Sequence, residues 1–180
     1  AVELARLVIA INDLSSPAQA TTVTPTVISA GTTTNTVPAE AFVDMDVRAT
    51  SAAEQERVDA NIRALQAIHP AAVVTVSGGV NRPPLEATMS APLLALAERV
   101  ALEHDLTPPV GLAVGGASDG NFTAGIGIPT LDGLGGVGGG AHAETEHALV
   151  SAIAPRTALV AGLIRSITSE GGPRVEKQSG

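Results

Sequence analysis

The sequence predicts an α/β fold in two domains, the first a ferredoxin-like sandwich that lacks its first strand. Three observations carry this. Residues 1–76 read as helix, strand, strand, helix, strand, which is the split β-α-β order with one strand missing at the front. The proline pair Pro83-Pro84 then interrupts the chain, since few regular elements survive it. Beyond it, short apolar runs alternate with helical patterns, the mark of layered α/β architecture, although there are too few strands for a complete sheet. The expected domains are 1–84 and 85–168, with a flexible tail at 169–180.

Each element has a local reason. Leu4, Leu7, Val8 and Ile11 fall at helical spacing and place a helix over 1–13. It opens without a cap residue, so the expectation is that a segment has been removed upstream or was never present. Ser15-Ser16-Pro17 breaks the pattern, and the Thr, Val and Ile density of 21–29 suits a strand. In 41–47, Ala41, Val43, Met45 and Val47 alternate with Phe42, Asp44, Asp46 and Arg48, which predicts one core face and one wet or functional face. Ser51 and Glu54 form a capping box that opens a helix with Val58, Ile62 and Leu65 inward, stopped by His69-Pro70. Residues 71–76 read as a further strand, closed by Gly78-Gly79.

In the second domain Ser90 is expected to cap a helix bearing Leu93, Leu96, Ala97, Val100 and Ala101. Val110 to Val114 reads as a short buried strand, Ser118 as the N-cap of a short helix through Ala124, and Pro129 to Leu131 as another strand. A closing helix over 151–167 turns Ile153, Val160, Leu163, Ile164 and Ile167 inward, with Pro155 tolerated near its start.

Composition narrows the function. The chain has 180 residues, of which 44% are hydrophobic, but Phe42 and Phe122 are the only aromatics, so the core is aliphatic. A formal charge of −8 and so few aromatic rings argue against nucleic acid as a partner. Local arginines can still hold an anionic small molecule. Cysteine is absent, which removes disulfides and thiolate metal sites and leaves histidine and carboxylate ligation. No apolar run is expected to reach the roughly 20 residues of a membrane span, and no signal peptide is visible. A soluble, cytoplasmic protein is the expectation.

The chemistry-bearing stretch is Gly133 to His147, where a glycine-dense run ends in His142. Gly133, Gly135 and Gly138 match a dinucleotide fingerprint, but no acidic residue follows at the distance a ribose contact requires. His142 reads either as a solvated loop histidine or as a metal ligand oriented by Glu144 and Glu146. His147 lies about 140° around a helix from it, so the two would not share an ion from a helical surface. Ser118-Asp119 after Gly115-Gly116 presents N–H groups at a helix start, either an anion seat or an ordinary cap. Arg48 reads as a carboxylate clamp or as an ion-pair partner of Asp44 and Asp46. Asn35 could donate to a substrate oxygen or make a turn. Arg82 is a weaker candidate, and His69 and His104 need no role beyond the favourable end of a helix dipole.

In order, Gly31-Thr32-Thr33-Thr34-Asn35-Thr36-Val37-Pro38, Asp46-Val47-Arg48, Gly115-Gly116-Ala117-Ser118-Asp119-Gly120-Asn121 and Gly140-Ala141-His142-Ala143-Glu144-Thr145-Glu146 resemble a known family. It is that of the two-zinc metallopeptidases and deacylases, including glutamate carboxypeptidase, acetylornithine deacetylase, succinyl-diaminopimelate desuccinylase and aminoacylase. The resemblance implies that residues 1–84 are most of a lid or dimerisation domain and that 85–168 are the C-terminal half of an α/β zinc-peptidase catalytic domain. It implies His142 as a zinc ligand and Glu146 as a supporting residue. Asn35, Arg48 and Arg82, with the Gly116, Ala117 and Ser118 backbone, become substrate-binding groups. The substrate would be a small carboxylate-bearing amide or peptide, cleaved by a zinc-bound water next to the free carboxylate.

The family's other zinc ligands, its general-base glutamate and its lid histidine have no counterpart here. The resemblance therefore implies an inactive chain on its own, a homodimer formed through the lid, and a complementing N-terminal half as a further partner. A non-catalytic dimerisation or binding module is the alternative.

Overall fold

The computed structural model describes residues 1–170, and the chain divides into two compact units, 1–84 and a second that starts at Leu85. The fold is mixed α/β, with small antiparallel sheets and helices.

In the first unit, helix α1 (Val2–Asn12) buries Leu4 and Ile11 and leaves Ile9 in solvent, as the spacing requires. Strands β1 (Thr22–Ala30) and β2 (Ala41–Arg48) form a two-stranded antiparallel sheet. Pro25 lies two residues after Val23, whose N–H is turned away from β2, so its missing N–H costs no bond in the ladder; the register shifts after it, between Pro25 and Val27. Helix α2 (Ala52–Arg63) opens on Ser51, whose side chain accepts from Glu54 N–H. Ile11, Val23, Val58 and Ile62 form the core, with Val43, Met45, Leu65 and Val76 packed against it.

The one buried polar side chain among the described residues, Thr21, is hydrogen-bonded to Glu54 Oε2 at 2.8 Å. Arg57 grips the same carboxylate through two nitrogens. That bonding, with Arg57 first and Thr21 second, holds the Glu54 carboxyl below its ordinary range.

Three expectations for this unit need correction. Helix α2 ends at Arg63, well before His69-Pro70, and Leu65 reaches the core from beyond the helix. Residues 71–76 form no strand. Their burial does alternate, Ala72, Val74 and Val76 being half-buried and Ala71, Val73 and Thr75 exposed, as the sequence pattern implies, but among the described residues no strand pairs with them. On β2, Val43 and Met45 face the core, but Ala41 and Val47, near the two ends of the strand, stay exposed.

In the second unit, α3 (Ala87–Glu103) packs on α5 (Val150–Glu170), and a six-residue α4 (Gly120–Gly125) lies between them in sequence. Leu96, Ala97, Val100 and Ala101 meet Leu159 and Leu163. Ser90 is not the cap of α3, which starts earlier at Ala87 after Glu86. Val110 to Val114 is neither buried nor a strand: Val110, Leu112 and Val114 are each more than three-quarters exposed. Pro129 to Leu131 is likewise no strand, although Leu131 packs on the core. Two-residue strands β3 (Gly138–Gly139) and β4 (His147–Ala148) pair within the glycine-rich stretch instead.

The inward face of α5 also differs from expectation. Leu163 is buried as expected, together with Leu159, and Val160 is half-buried, whereas Ile153 and Ile164 are each 57% exposed and Ile167 is 36% exposed. The helix extends through Ser169 and Glu170, and the rest of the expected tail lies outside the described residues. Its segment Val150–Ser169 is, by length and composition, apolar enough to cross a membrane, which corrects the expectation that no such run exists. Long apolar helices that pack in a core pass the same criterion, and α5 packs on α3.

The α3–α5 contact is close enough to exclude a methyl group. A Cβ at Gly162 would lie 2.5 Å from Val100 Cγ1 and 3.2 Å from His104 Nε2. Gly162→Ala is therefore expected to destabilise the second unit by about 1–3 kcal/mol through overpacking, despite the better helix propensity of alanine. Urea denaturation followed by circular dichroism measures this, and an unchanged or raised midpoint would contradict the packing described.

Candidate functional site

On the first unit the expected arginine lies on the outer face of the sheet. Val23 points to the core, so its neighbours Thr22 and Thr24 point away from it, and the register sets Thr22 opposite Arg48 and Thr24 opposite Asp46. With Thr26 they line an open concavity of about 510 Å³. Arg48 Nε donates to Asp46 Oδ2 at 2.7 Å. Both side chains are about half exposed, so the pair adds little stability, but it fixes the plane of the guanidinium. The result is an oriented cation beside a row of hydroxyls, chemistry that suits an anionic oxygen ligand. The threonines were not singled out in the sequence. Their alternation with Val23 and Pro25 is the signal that could have found them.

Asn35 lies in an exposed turn within the 31–40 connection between β1 and β2. Gly31 closes that connection at φ +76°, with Pro38 Cγ 2.8 Å from where a Cβ would be, so the loop needs glycine there. Arg82 is half-buried, and its carbonyl accepts from Gln55 Nε2 at 2.7 Å, which ties the end of the unit to α2.

In the second unit Gly116 and Ala117 are exposed and Ser118 is half-buried. Ser118 is not the N-cap, since α4 starts one residue later with Asp119 in that position and no side-chain cap bond. Its hydroxyl accepts from Gly120 N–H at 3.0 Å, and its own N–H donates to Asn121 Oδ1 at 2.9 Å. Its hydroxyl is also bonded to the Asp132 carboxylate. That bond first, and the Gly133 N–H at 2.7 Å second, hold the Asp132 carboxyl below its ordinary range against a smaller opposing effect of burial. Sequence reading missed Asp132, because nothing in spacing joins it to a serine fourteen residues earlier.

His142 sits exposed at the tip of the hairpin between β3 and β4, at φ +64°. The turn around it is closed by backbone. Gly138 lies so near the His147 carbonyl, and Gly140 so near that of Thr145, that neither position has room for a side chain. The His142 N–H donates to Glu146 Oε2 at 3.4 Å, so Glu146 braces the turn. His147 Nδ1 lies 2.9 Å from the Thr145 carbonyl. Among the described residues no three His, Asp or Glu side chains gather closely enough to hold a metal ion. His142, Glu144 and Glu146 therefore do not fit a complete zinc site by themselves.

Ser118→Ala is expected to raise the Asp132 pKa toward that of an ordinary aspartate, read by carbon NMR of the carboxyl group. Because the folded value is depressed, the bonded carboxylate stabilises the fold above the unfolded pKa, and that contribution is lost as pH falls through the folded value. The variant should show a weaker loss of stability over that acid window. An unmoved Asp132 titration would contradict the assigned bond.

Comparison with known proteins adds one match: residues 1–72 fit the family model M20_dimer, described as a peptidase dimerisation domain. No curated protein matches the chain. The helix, hairpin and helix of the first unit fit a lid domain of that description.

Proposed function

We propose that the chain is the dimerising lid and the C-terminal catalytic part of a two-zinc metallohydrolase, a carboxypeptidase or N-acyl amino acid amidohydrolase. The observation that carries this is the match of residues 1–72 to a peptidase dimerisation domain. The outer sheet face supports it, since Asp46 orients Arg48 as a carboxylate clamp requires. In this reading Arg48, Asn35 and Arg82 bind the substrate carboxylate and the region of its scissile amide, and the Gly116, Ala117 and Ser118 backbone holds a carboxylate. His142 is one zinc ligand, with the others supplied by another segment of polypeptide. The described residues do not complete that site, so the chain alone is proposed to be inactive.

A second reading, a non-catalytic dimerisation module, is favoured by the same lack of a gathered ligand set among the described residues. Two measurements separate the possibilities. Sedimentation equilibrium is expected to give a dimer under either reading, and a monomer at tens of micromolar would overturn both. Hydrolysis of N-acyl amino acids with added zinc is expected to be absent for the chain alone. Turnover restored by co-expression with a segment carrying a His-x-Asp pair and paired glutamates supports the severed enzyme; its absence supports the module.

A further inference from the structure

The outer face of the β1–β2 sheet continues past Arg48. Cross-strand partners share a face, so the pairing of Val27 with Asp44 and of Ser29 with Phe42 puts these residues on the side of Arg48 and Thr22. Val27 stands there because of the register shift: an unbroken ladder would set Thr26 opposite Asp44 and turn Val27 to the side of Val43. The Thr26 hydroxyl donates to the Asp44 carbonyl at 3.2 Å, which pins the extra residue. Val27 and Phe42 are 50% and 54% exposed, an apolar patch at the end of the face away from the arginine.

The charges on this face differ in how they are engaged. Asp46 is bonded to Arg48, whereas among the described residues no hydrogen bond or ion pair reaches the Asp44 carboxylate. Arg48, Asp46 and Asp44 together carry one more negative charge than positive, so a simple anion gains little here, while a ligand with a cation at its other end gains at both. Asp44 lies four residues before Arg48, about 13 Å at a rise of about 3.4 Å per residue, farther than the roughly 8 Å over which salt screens exposed charges. The two therefore act as separate ends rather than as a pair. Thr22, Thr24 and Thr26 line the concavity beside Arg48, and among the described residues the hydroxyls of Thr22 and Thr24 have no protein partner.

We propose that this face binds a short unblocked peptide laid along β2, with its carboxylate at Arg48 and its free ammonium at Asp44. A fully extended tetrapeptide spans about the distance between them. The hydroxyls of Thr22 and Thr24 meet its middle amides, and an apolar first side chain lies on Val27 and Phe42. The proposal rests on the reading of Arg48 as a carboxylate clamp and narrows the substrate from N-acylated to free-amino peptides.

The test is an NMR titration of the full chain with Leu-Ala-Ala-Ala and with its N-acetylated form, following the amide signals of Val27, Asp44 and Arg48. The free peptide is expected to shift all three. Acetylation is expected to weaken binding by about threefold or more, the scale of an exposed ion pair. Asp44→Asn is expected to weaken the free peptide by the same factor without weakening the acetylated one, and Arg48→Gln to weaken both. Equal affinity for the two peptides, with both weakened by Arg48→Gln, would overturn this proposal and leave the clamp standing. If neither peptide shifts Arg48, or Arg48→Gln changes nothing, the clamp and the proposal fall together.

Discussion

The first unit depends on how Val23 is held. Its side chain, 1% exposed, is the middle of the aliphatic core, and its main chain is taken by the Ser15 hydroxyl on the side away from β2. One short side chain therefore sets two things at once. It closes one sheet edge with the turn that leads into it, and it fixes the register phase in which Thr22 and Thr24 stand beside Arg48 and Asp46 on the outer face. A slip of one residue would put those threonines in the core and Val23 in water. The face proposed to bind a carboxylate exists because Val23 is anchored.

The elements that the sequence predicts well are those decided within a few residues. Leu4 and Ile11 mark the buried side of α1, and the Ser51 to Glu54 pair starts α2, because helix spacing and capping are local properties. Strands are not local. Residues 71–76 show the expected alternation of burial and still form no ladder, and the exposed run from Val110 to Val114 has apolar content without a neighbour to pair with. Sequence patterns record what a strand would bury. They do not record whether a partner is present.

The closing helix forms where the sequence places it, but its packed face is legible only in part, for a different reason. Apolar residues surround α5 on most sides, so periodicity alone cannot choose between the stripe through Leu159 and Leu163 and the one through Ile153 and Ile164. The choice is made by Gly162, which lets α3 approach to contact distance at Val100. A glycine in a helix interior costs helix propensity, and its position was a better guide to the packed face than the isoleucines were. The same logic applies at the hairpin, where Gly138 and Gly140 permit the strands to meet at backbone distance.

Residue identity at the candidate site was legible, and its supporting contacts were not. Arg48 and Asp46 stand two apart on a strand, so their pairing follows from side-chain alternation. The link between Ser118 and Asp132 spans the whole of α4 in sequence, and the chain returns past Thr130, whose hydroxyl bonds that of Thr123 at 2.8 Å and whose N–H donates to the Met89 carbonyl. His142 shows the distinction most clearly. Its imidazole was visible as a potential ligand, but its left-handed backbone is imposed by its neighbours: Gly140 packs on Thr145, and Glu146 accepts from the His142 N–H. A non-glycine residue in that conformation costs about 1–2 kcal/mol, which the surrounding turn must supply. The turn, rather than the histidine, therefore sets where any ligand chemistry at this position can point.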